Sequence, residues 1–176
     1  MGPIPWNCVN SWYCSNCGLC CKEFDVTLRF DEWLNLVRRY GVGVTRAGLN
    51  KFYIGKKNDG TCMFLYNSLG GGLCGLQRMK PTACKLWPFK ISNRPRYGRS
   101  KEAAFNYKGK QLFVYIDPIC PEIRWGKPSQ QIMYQVIPEF IEIALGLREK
   151  QVYSTSSISV QSDLLSSIRR RGHLVS

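Results

Sequence analysis

The chain has 176 residues, 44% of them hydrophobic, and a formal net charge of +13. This length fits one domain with its own core and short tails. The longest apolar run, residues 132–147, is interrupted by Gln135, Glu139 and Glu142 and is too short to span a bilayer, and the N-terminus lacks the regions of a secretory signal. We therefore expect a cytoplasmic protein without membrane contact.

The positive charge predicts a polyanionic partner, either a nucleic acid or an acidic protein surface. Binding of eight thiolates to two dipositive centres would lower the net charge only to about +9, so the protein would remain basic. A surface that merely keeps the protein in solution is the other interpretation of this charge. The oligomeric state stays open.

The first distinctive element is CSNCGLCC, residues 14–21. A Cys-x-x-Cys turn directs two sulfurs at one ion, because the backbone wraps around the ion and its amides hydrogen-bond the thiolates. The turn occurs here twice in overlap, at Cys14, Cys17 and Cys20. Nine cysteines in a cytoplasmic chain are more often metal ligands or redox groups than disulfides. The segment predicts a metal site that takes a fourth ligand from elsewhere.

Residues 28–41 predict a helix. Its first turn carries the acidic residues Asp31 and Glu32 and its last turn the basic residues Arg38 and Arg39, which are the charges that the helix dipole favours at each end. Gly41 can adopt the left-handed conformation that ends a helix. Apolar residues at helical spacing predict a stripe that faces the core. This stripe consists of Phe30, Trp33, Leu34, Val37 and Tyr40.

Two short strands or irregular segments follow at residues 51–55 and 62–66, and a glycine-rich segment occupies residues 68–75. These glycines lack both the strand-then-helix frame and the Lys-Ser/Thr ending of a phosphate-binding loop. We interpret the segment as a turn that lets Cys74 approach a metal.

Basic residues dominate residues 75–110, where ten basic side chains and one acidic side chain alternate with aromatic residues. Such a surface can bind single-stranded nucleic acid by neutralising phosphates and stacking on bases. The same composition can instead balance the charge of buried thiolates. The candidate nucleic-acid-binding residues are Arg94, Arg96, Arg99 and Lys101.

The last predicted elements are a strand at residues 111–117 and a helix at residues 129–150, which Pro138 should kink or split. Residues 151–176 form a Ser-rich segment and a basic tail, which either is a short helix or becomes ordered on a partner. We expect an α+β fold: a small single domain with metal-held loops, a few short strands and two to three helices. Residues 1–150 would form the cysteine-cluster metal-binding domain.

The remote ligand predicted for the first site is Cys120, which Pro121 follows. Ferredoxin-type sites combine a three-cysteine run of this spacing with a Cys-Pro pair and bind a cluster of four irons, and in two-cluster ferredoxins the Cys-Pro cysteine binds the other cluster, so the analogy indicates the cluster type better than the connectivity. Neighbouring side chains on an extended backbone point to opposite sides, so Cys21 would be free to face a second centre. Its natural companions are Cys62, Cys74 and Cys84. We expect two four-thiolate sites joined through the Cys20–Cys21 peptide, with the partition still open.

Four segments in succession, CSNCGLCC, GTCMFL, CGLQRMKPTACKLWPF and DPICPEIRWG, resemble the motifs of the CxxCxxCC family of zinc- or iron-chelating domain proteins, also known as YkgJ-like cysteine-cluster proteins. The resemblance covers about residues 14–126, with Lys80 and Lys85 at positions where the family usually has arginine. It implies the metal ligand set Cys14, Cys17, Cys20, Cys21, Cys62, Cys74, Cys84 and Cys120. Cys8 lies outside this set and is interpreted as a small apolar residue or a spare thiol.

Three functions compete as explanations of this pattern. The first is an iron–sulfur protein, of the 4Fe-4S type, or a zinc protein, in which the centre is structural or carries electrons. The second is an S-adenosylmethionine-dependent protein-lysine methyltransferase, which follows only from the similarity of some family members to flagellin lysine N-methylases. The third, a thiol–disulfide oxidoreductase, does not account for eight cysteines. The only histidine, His173, lies in the tail, so a Cys/His zinc finger lacks its residue in the body of the chain.

Overall fold

The structure is a computed structural model that describes residues 2–68 and 71–153. Nearly all of the predicted Ser-rich segment and basic tail therefore lies outside the described residues. Within the described residues the chain forms five α-helices: α1 (Leu19–Glu23), α2 (Phe30–Tyr40), α3 (Thr82–Leu86), α4 (Ser100–Ala103) and α5 (Ile137–Ala144). None of these helices is both long and apolar enough to cross a membrane.

Short antiparallel strands make up the rest of the regular structure, which confirms the predicted α+β fold. The strands in the described residues are β1 (Ile4–Pro5), β2 (Val9–Trp12), β3 (Thr27–Leu28), β4 (Thr45–Ala47), β5 (Phe52–Ile54), β6 (Leu65–Ser68), β7 (Gly71–Cys74), β8 (Phe89–Ser92), β9 (Ala104–Tyr107), β10 (Lys110–Ile116) and β11 (Ile123–Trp125). Single 3-10 turns occur at Trp6–Cys8, Val42–Val44 and Gln77–Met79.

Strand β10, which matches the strand predicted at residues 111–117, is the centre of the largest sheet. It pairs antiparallel with β1, β8 and β9, so that Ile116 lies opposite both Ile4 and Phe89. Three smaller pairings complete the fold: β11 with β2, β5 with β3 and β4, and β6 with β7. The smaller sheets come from the part of the chain that carries most of the cysteines.

Two separate groups of buried apolar side chains hold these sheets. The first hydrophobic cluster joins the large sheet to α5 and has at its centre Val9, Trp12, Phe89, Leu112, Val114, Ile116, Cys120, Ile123, Ile132, Val136, Ile137, Phe140 and Ile141. The second hydrophobic cluster joins α2 to β3, β5 and β6 and has at its centre Leu28, Leu36, Ile54, Cys62, Phe64, Leu65 and Leu76. Cysteines belong to both clusters, so the thiols are built into the packing.

Helix α2 confirms the helix predicted at residues 28–41, and the backbone N–H of Gly41 closes it on the Val37 carbonyl. The stripe predicted to face the core is wrong in part, because Phe30 is 64% exposed whereas Leu36 is 1% exposed. The helix packs against β5 and Phe64, which rotates its buried face toward Leu36. Phe30 covers Trp33 and Phe52 from the solvent side instead.

Pro138 divides the predicted C-terminal helix in the expected way. A π-helical stretch at Ile132–Val136 runs directly into α5, in which Pro138 occupies the first turn. Proline is tolerated in a first turn because the amide hydrogen that it lacks has no partner within the helix there. The widened turn lets Ile132 and Ile137 both reach the first hydrophobic cluster.

Candidate metal centre

Between the two hydrophobic clusters lies a cavity of about 240 Å³. Eight of the nine cysteines line it, and they come from five separate places in the chain. These eight are Cys14, Cys17, Cys20, Cys21, Cys62, Cys74, Cys84 and Cys120, the same residues that the sequence proposed as ligands. All nine cysteines are within the described residues and none forms a disulfide. The fold thus gathers the candidate ligands around one space.

The loop that carries the first three cysteines is held by two left-handed residues, Asn16 with φ of 60° and Gly18 with φ of 74°. Gly18 precedes α1, and its carbonyl accepts a hydrogen bond from the Cys21 amide at 2.9 Å. The extended backbone expected at Cys20 and Cys21 is therefore wrong, since both residues lie in α1. Left-handed Gly18 reverses the chain and starts a helical turn at this point.

The neighbouring sulfurs of Cys20 and Cys21 are 4.0 Å apart in this helical turn. Sulfurs bound to one tetrahedral ion at ~2.3 Å lie about 3.8 Å from each other. The two thiols are thus close enough to share a centre as well as to serve two adjacent centres. Cys20 stands at the junction of the candidate sites.

The glycine-rich segment forms strand β7 and pairs with β6, with Leu65 opposite Cys74. The interpretation of the whole segment as a turn is therefore wrong for residues 71–74. A side chain at Gly72 would place its Cβ 2.9 Å from the Cα of Gly18, and the Gly72 amide donates to the Asn16 carbonyl at 2.7 Å. The glycines are needed because β7 lies directly against the cysteine loop, which places Cys74 at the cavity.

The first thiol group consists of Cys14, Cys17, Cys20 and Cys120. Cys14 and Cys120 pack in the first hydrophobic cluster, whereas Cys17 is exposed to solvent. The indole N–H of Trp12 donates a hydrogen bond to the Cys120 sulfur at 3.3 Å. Burial raises the pKa of the Cys120 thiol, the Trp12 bond opposes this rise, and the neighbouring Cys17 and Cys14 add to it.

The second thiol group consists of Cys21, Cys62, Cys74 and Cys84, all of which pack in the second hydrophobic cluster. The Cys62 amide donates to the Cys21 carbonyl at 2.7 Å, which joins the loop of residues 56–62 to α1. The Cys20 contact, together with burial, raises the pKa of Cys21 to about 12.

Crowding and burial also hold the other three thiols of the second group in their protonated form. The contact with Cys21, followed by burial, raises the pKa of Cys62. Burial raises the pKa values of Cys74 and Cys84, and the thiols of the group raise them further. A cation that binds here must displace protons, since only the thiolate is a metal ligand.

Glu32 fixes the helix that carries Cys84, a role that sequence reasoning missed. One oxygen of its carboxylate accepts hydrogen bonds from the Thr82 amide at 2.6 Å and the Thr82 hydroxyl at 2.7 Å. Its other oxygen accepts from the Arg29 amide at 2.9 Å. Glu32 therefore caps the N-termini of both α2 and α3. Thr82 two residues before Cys84 was the only sequence signal for this contact.

Within residues 2–68 and 71–153, no three thiol, imidazole or carboxylate side chains stand close enough together to hold one metal ion. The sulfurs surround the cavity without converging on a point. A change of rotamer about one Cα–Cβ bond moves a sulfur by roughly 3 Å, so side-chain rotation is the movement that binding would need. The donor set fits: all-thiolate surroundings suit zinc and iron–sulfur clusters.

Cys8 lies outside the cavity lining, at the end of the 3-10 turn Trp6–Cys8. The Arg99 guanidinium donates to its sulfur at 3.5 Å. Cys8 thus provides a matched control for the other eight cysteines.

Three of the candidate nucleic-acid-binding residues, Arg94, Arg96 and Arg99, lie between β8 and α4, the fourth, Lys101, lies in α4, and none of them lines the cavity. Arg94, Arg96, Arg99 and Lys101 are all exposed, and Arg99 forms an ion pair with Glu102. The aromatic residues of this stretch are mostly packed: Phe89 is 3% exposed, whereas Tyr97 is 42% exposed. Charge is therefore available at this surface, and Tyr97 is the aromatic ring best placed to stack.

Comparison with known proteins agrees with the site. The family model CxxCxxCC, whose description is "Putative zinc- or iron-chelating domain", matches residues 13–121, which is more than half of the chain. The matched range contains all eight cysteines that line the cavity. No curated protein and no solved structure matches the chain. The chain belongs to the CxxCxxCC family of zinc- or iron-chelating domains.

Proposed function

We propose that the eight cysteines bind iron–sulfur clusters in two four-thiolate centres, with a structural or electron-transfer role. The observation that carries the proposal is the division of the chain's thiols: eight line one cavity and the ninth does not. Six of the lining cysteines divide between the two hydrophobic clusters, Cys14 and Cys120 in the first and Cys21, Cys62, Cys74 and Cys84 in the second, and this division supports two centres in preference to one. Nine free thiols suit a reducing compartment, and on this ground we assign the protein to the cytoplasm.

Cavity size and ligand order support a cluster over a single ion. A volume of about 240 Å³ has room for several water-sized spheres, more than one metal ion fills. The order Cys14, Cys17, Cys20 and then Cys120-Pro121 is that of ferredoxin-type ligands. Zinc is the alternative metal, because it takes the same four-thiolate surroundings.

The protein's own residues would position and tune the centres. Trp12, which is 6% exposed, donates its N–H to Cys120, and such bonds to sulfur raise the reduction potential of a cluster. Glu32 holds the helix of Cys84 in place. The two hydrophobic clusters bury Cys62 and Cys120 and pack against four half-buried ligands, Cys14, Cys21, Cys74 and Cys84. A cluster bound here would supply one-electron chemistry.

Metal and acid-labile sulfide analysis of protein purified without oxygen tests the proposal. We expect iron and sulfide in equal amounts and a broad visible absorption band. The Cys8→Ser variant should retain the full content of both, because Cys8 is not in the cavity lining. If the analysis finds zinc and no sulfide, the centres are structural zinc ions and not iron–sulfur clusters. A metal-free chain with native structure would contradict metal binding altogether.

A second candidate function is the binding of a polyanion, a nucleic acid or an acidic protein surface. The observation that favours it is the exposure of Arg94, Arg96, Arg99 and Lys101 in a single stretch. Binding to a single-stranded oligonucleotide should weaken steeply with salt, and joint replacement of Arg94, Arg96 and Arg99 by glutamine should flatten that dependence. Replacement of the exposed Arg38, Arg39 and Lys51 removes the same charge elsewhere and serves as the control. Binding that ignores salt, or that both triple variants weaken equally, would contradict this function.

The comparisons give no support to the methyltransferase alternative. The matched family is defined by metal chelation, and the thiol-lined cavity accounts for the motifs that suggested the resemblance. Metal binding is therefore the function to test first.

A further inference from the structure

A buried lysine lies at the wall of the cysteine cavity. Lys80 is 8% exposed and is the one basic side chain among the described residues that line the cavity. Lysine is almost never buried to this extent unless a negative charge or hydrogen-bond acceptors compensate it. Its burial places a positive charge at the wall of a cavity that is lined with thiols.

The segment around Lys80 belongs to the second thiol group. Lys80 follows the 3-10 turn Gln77–Met79 and precedes Pro81, the residue before α3. The cavity lining includes Cys74 before this turn and Cys84 after it. Because Glu32 anchors Thr82 at the start of α3, the backbone between the two cysteines is held on both sides of Lys80. The lysine is thus fixed between two candidate ligands.

The other two charged side chains of the lining, Asp25 and Glu122, are acidic and therefore cannot offset the negative charge of metal-bound thiolates. Asp25 is engaged by Arg46 at 3.1 Å and by Lys56 at 3.4 Å. Glu122 is acidic and stands two residues from Cys120, beside the first thiol group. A positive charge for the second group therefore comes, within the lining, from Lys80.

We propose that Lys80 compensates the negative charge of the metal-loaded second thiol group and thereby retains its metal. The proposal rests on the proposed metal function. Four thiolates around a dipositive centre carry a net charge of about −2, and the same holds for a 4Fe-4S cluster in its doubly positive state. Burial of such a charge is unfavourable, and a neighbouring ammonium halves it.

Lys80, Cys74 and Cys84 all line the same cavity. Lys80 acts through the cysteines and is a positioning residue for the metal.

A Co²⁺ titration of the full chain, without oxygen and in competition with Zn²⁺, tests the proposal. We expect Lys80→Met to weaken binding at the second centre about tenfold, the effect typical of residues that support metal ligands. Lys80→Arg, which keeps the charge, should bind as wild type does. Lys22→Met removes the same charge beside Cys21 from an exposed position and should have no effect, because water screens it.

The outcomes separate the two proposals. If wild type binds no Co²⁺, the metal function itself fails. If wild type binds and Lys80→Met binds equally well, or if Lys80→Arg is as weak as Lys80→Met, charge compensation is overturned. If Lys80→Met and Lys80→Gln fail to fold in saturating Zn²⁺ while Lys80→Arg folds, the position requires a positive charge, as proposed.

Discussion

The two thiol groups share a cavity but differ in how the chain builds them. Three members of the first group, Cys14, Cys17 and Cys20, come from one short stretch of the chain that ends in the first turn of α1, and Cys17 is exposed. The members of the second group are spread over residues 21–84 and all pack in the second hydrophobic cluster. A local loop can place three ligands with little help from the rest of the fold, whereas the second group exists only after α1, β7 and α3 have come together.

This difference predicts unequal contributions to stability. A centre that ties together distant segments removes more conformational freedom from the unfolded chain than one held mostly by a single loop. The second centre should therefore contribute more to folding, and the first should be the more accessible to solvent and to small reagents.

Complete metal removal should have the largest effect. A closed thiolate centre contributes about 10 kcal/mol or more to folding, so a chelator should unfold the chain, at least around the second hydrophobic cluster. Melting followed by circular dichroism, with and without chelator, measures this effect. An apo protein with the spectrum and the melting temperature of the holo protein would contradict it.

Single cysteine variants should separate the two groups. Cys62→Ser should lower the melting temperature strongly, because Cys62 is 6% exposed and its amide also joins α1 to the residue 56–62 loop. Cys17→Ser should have a smaller effect, since Cys17 is exposed. Cys8→Ser serves as the control and should melt as wild type does. Equal losses in Cys17→Ser and Cys62→Ser would remove the distinction between the groups.

Loss of the Glu32 contacts should destabilise α2 and α3, whose N-termini this residue caps. Glu32→Ala leaves the Thr82 amide, the Thr82 hydroxyl and the Arg29 amide without their acceptor and should lower the free energy of unfolding by about 2 kcal/mol. Denaturant unfolding measures this change. Asp31→Ala, in the same helical turn but exposed, is the matched control and should have a much smaller effect. Similar losses in both variants would indicate that the helix dipole, not the α3 anchor, accounts for the result.

The smallest effect is expected at the first group, from Trp12→Phe. The ring contacts with Phe89 and Phe140 are largely kept, while the N–H bond to Cys120 is lost. The reduction potential of a cluster should fall, or a bound zinc ion should dissociate about tenfold faster. Trp125→Phe, at an exposed ring, is the control. An unchanged potential and an unchanged dissociation rate in Trp12→Phe would exclude a tuning role for this bond.

Spacing marked Cys14, Cys17, Cys20 and Cys120 as candidate ligands, whereas Cys62, Cys74 and Cys84 were candidates because no other function was apparent for them and because of the family resemblance. The Cys-x-x-Cys turns and the Cys-Pro pair are local patterns, so they can be recognised without knowing which distant segments pack together. The α2 helix and the β10 strand were predictable for the same reason, since capping charges and alternation act over a few residues. The count of eight cavity cysteines with Cys8 excluded agrees with the family match.

What sequence reasoning missed depends on contacts between distant segments. The helical conformation of Cys20 and Cys21 follows from the left-handed Gly18 before them. In the sequence alone, a glycine at this position fits a continuing loop as well as the start of a helix. The strand at Gly71 and Gly72 follows from the close approach of the cysteine loop. Glu32 bonds to Thr82, 50 residues away, and no periodicity marks such a contact.

The central claim, two separate four-thiolate centres, is tested most directly by counting metal. Native mass spectrometry under anaerobic conditions gives the number of metal and sulfide atoms per chain in wild type, Cys17→Ser and Cys62→Ser. The account predicts two centres in wild type and the loss of a different one in each variant, so that each retains half the metal. Wild type with one centre, or two variants that lose the same metal, would contradict the account.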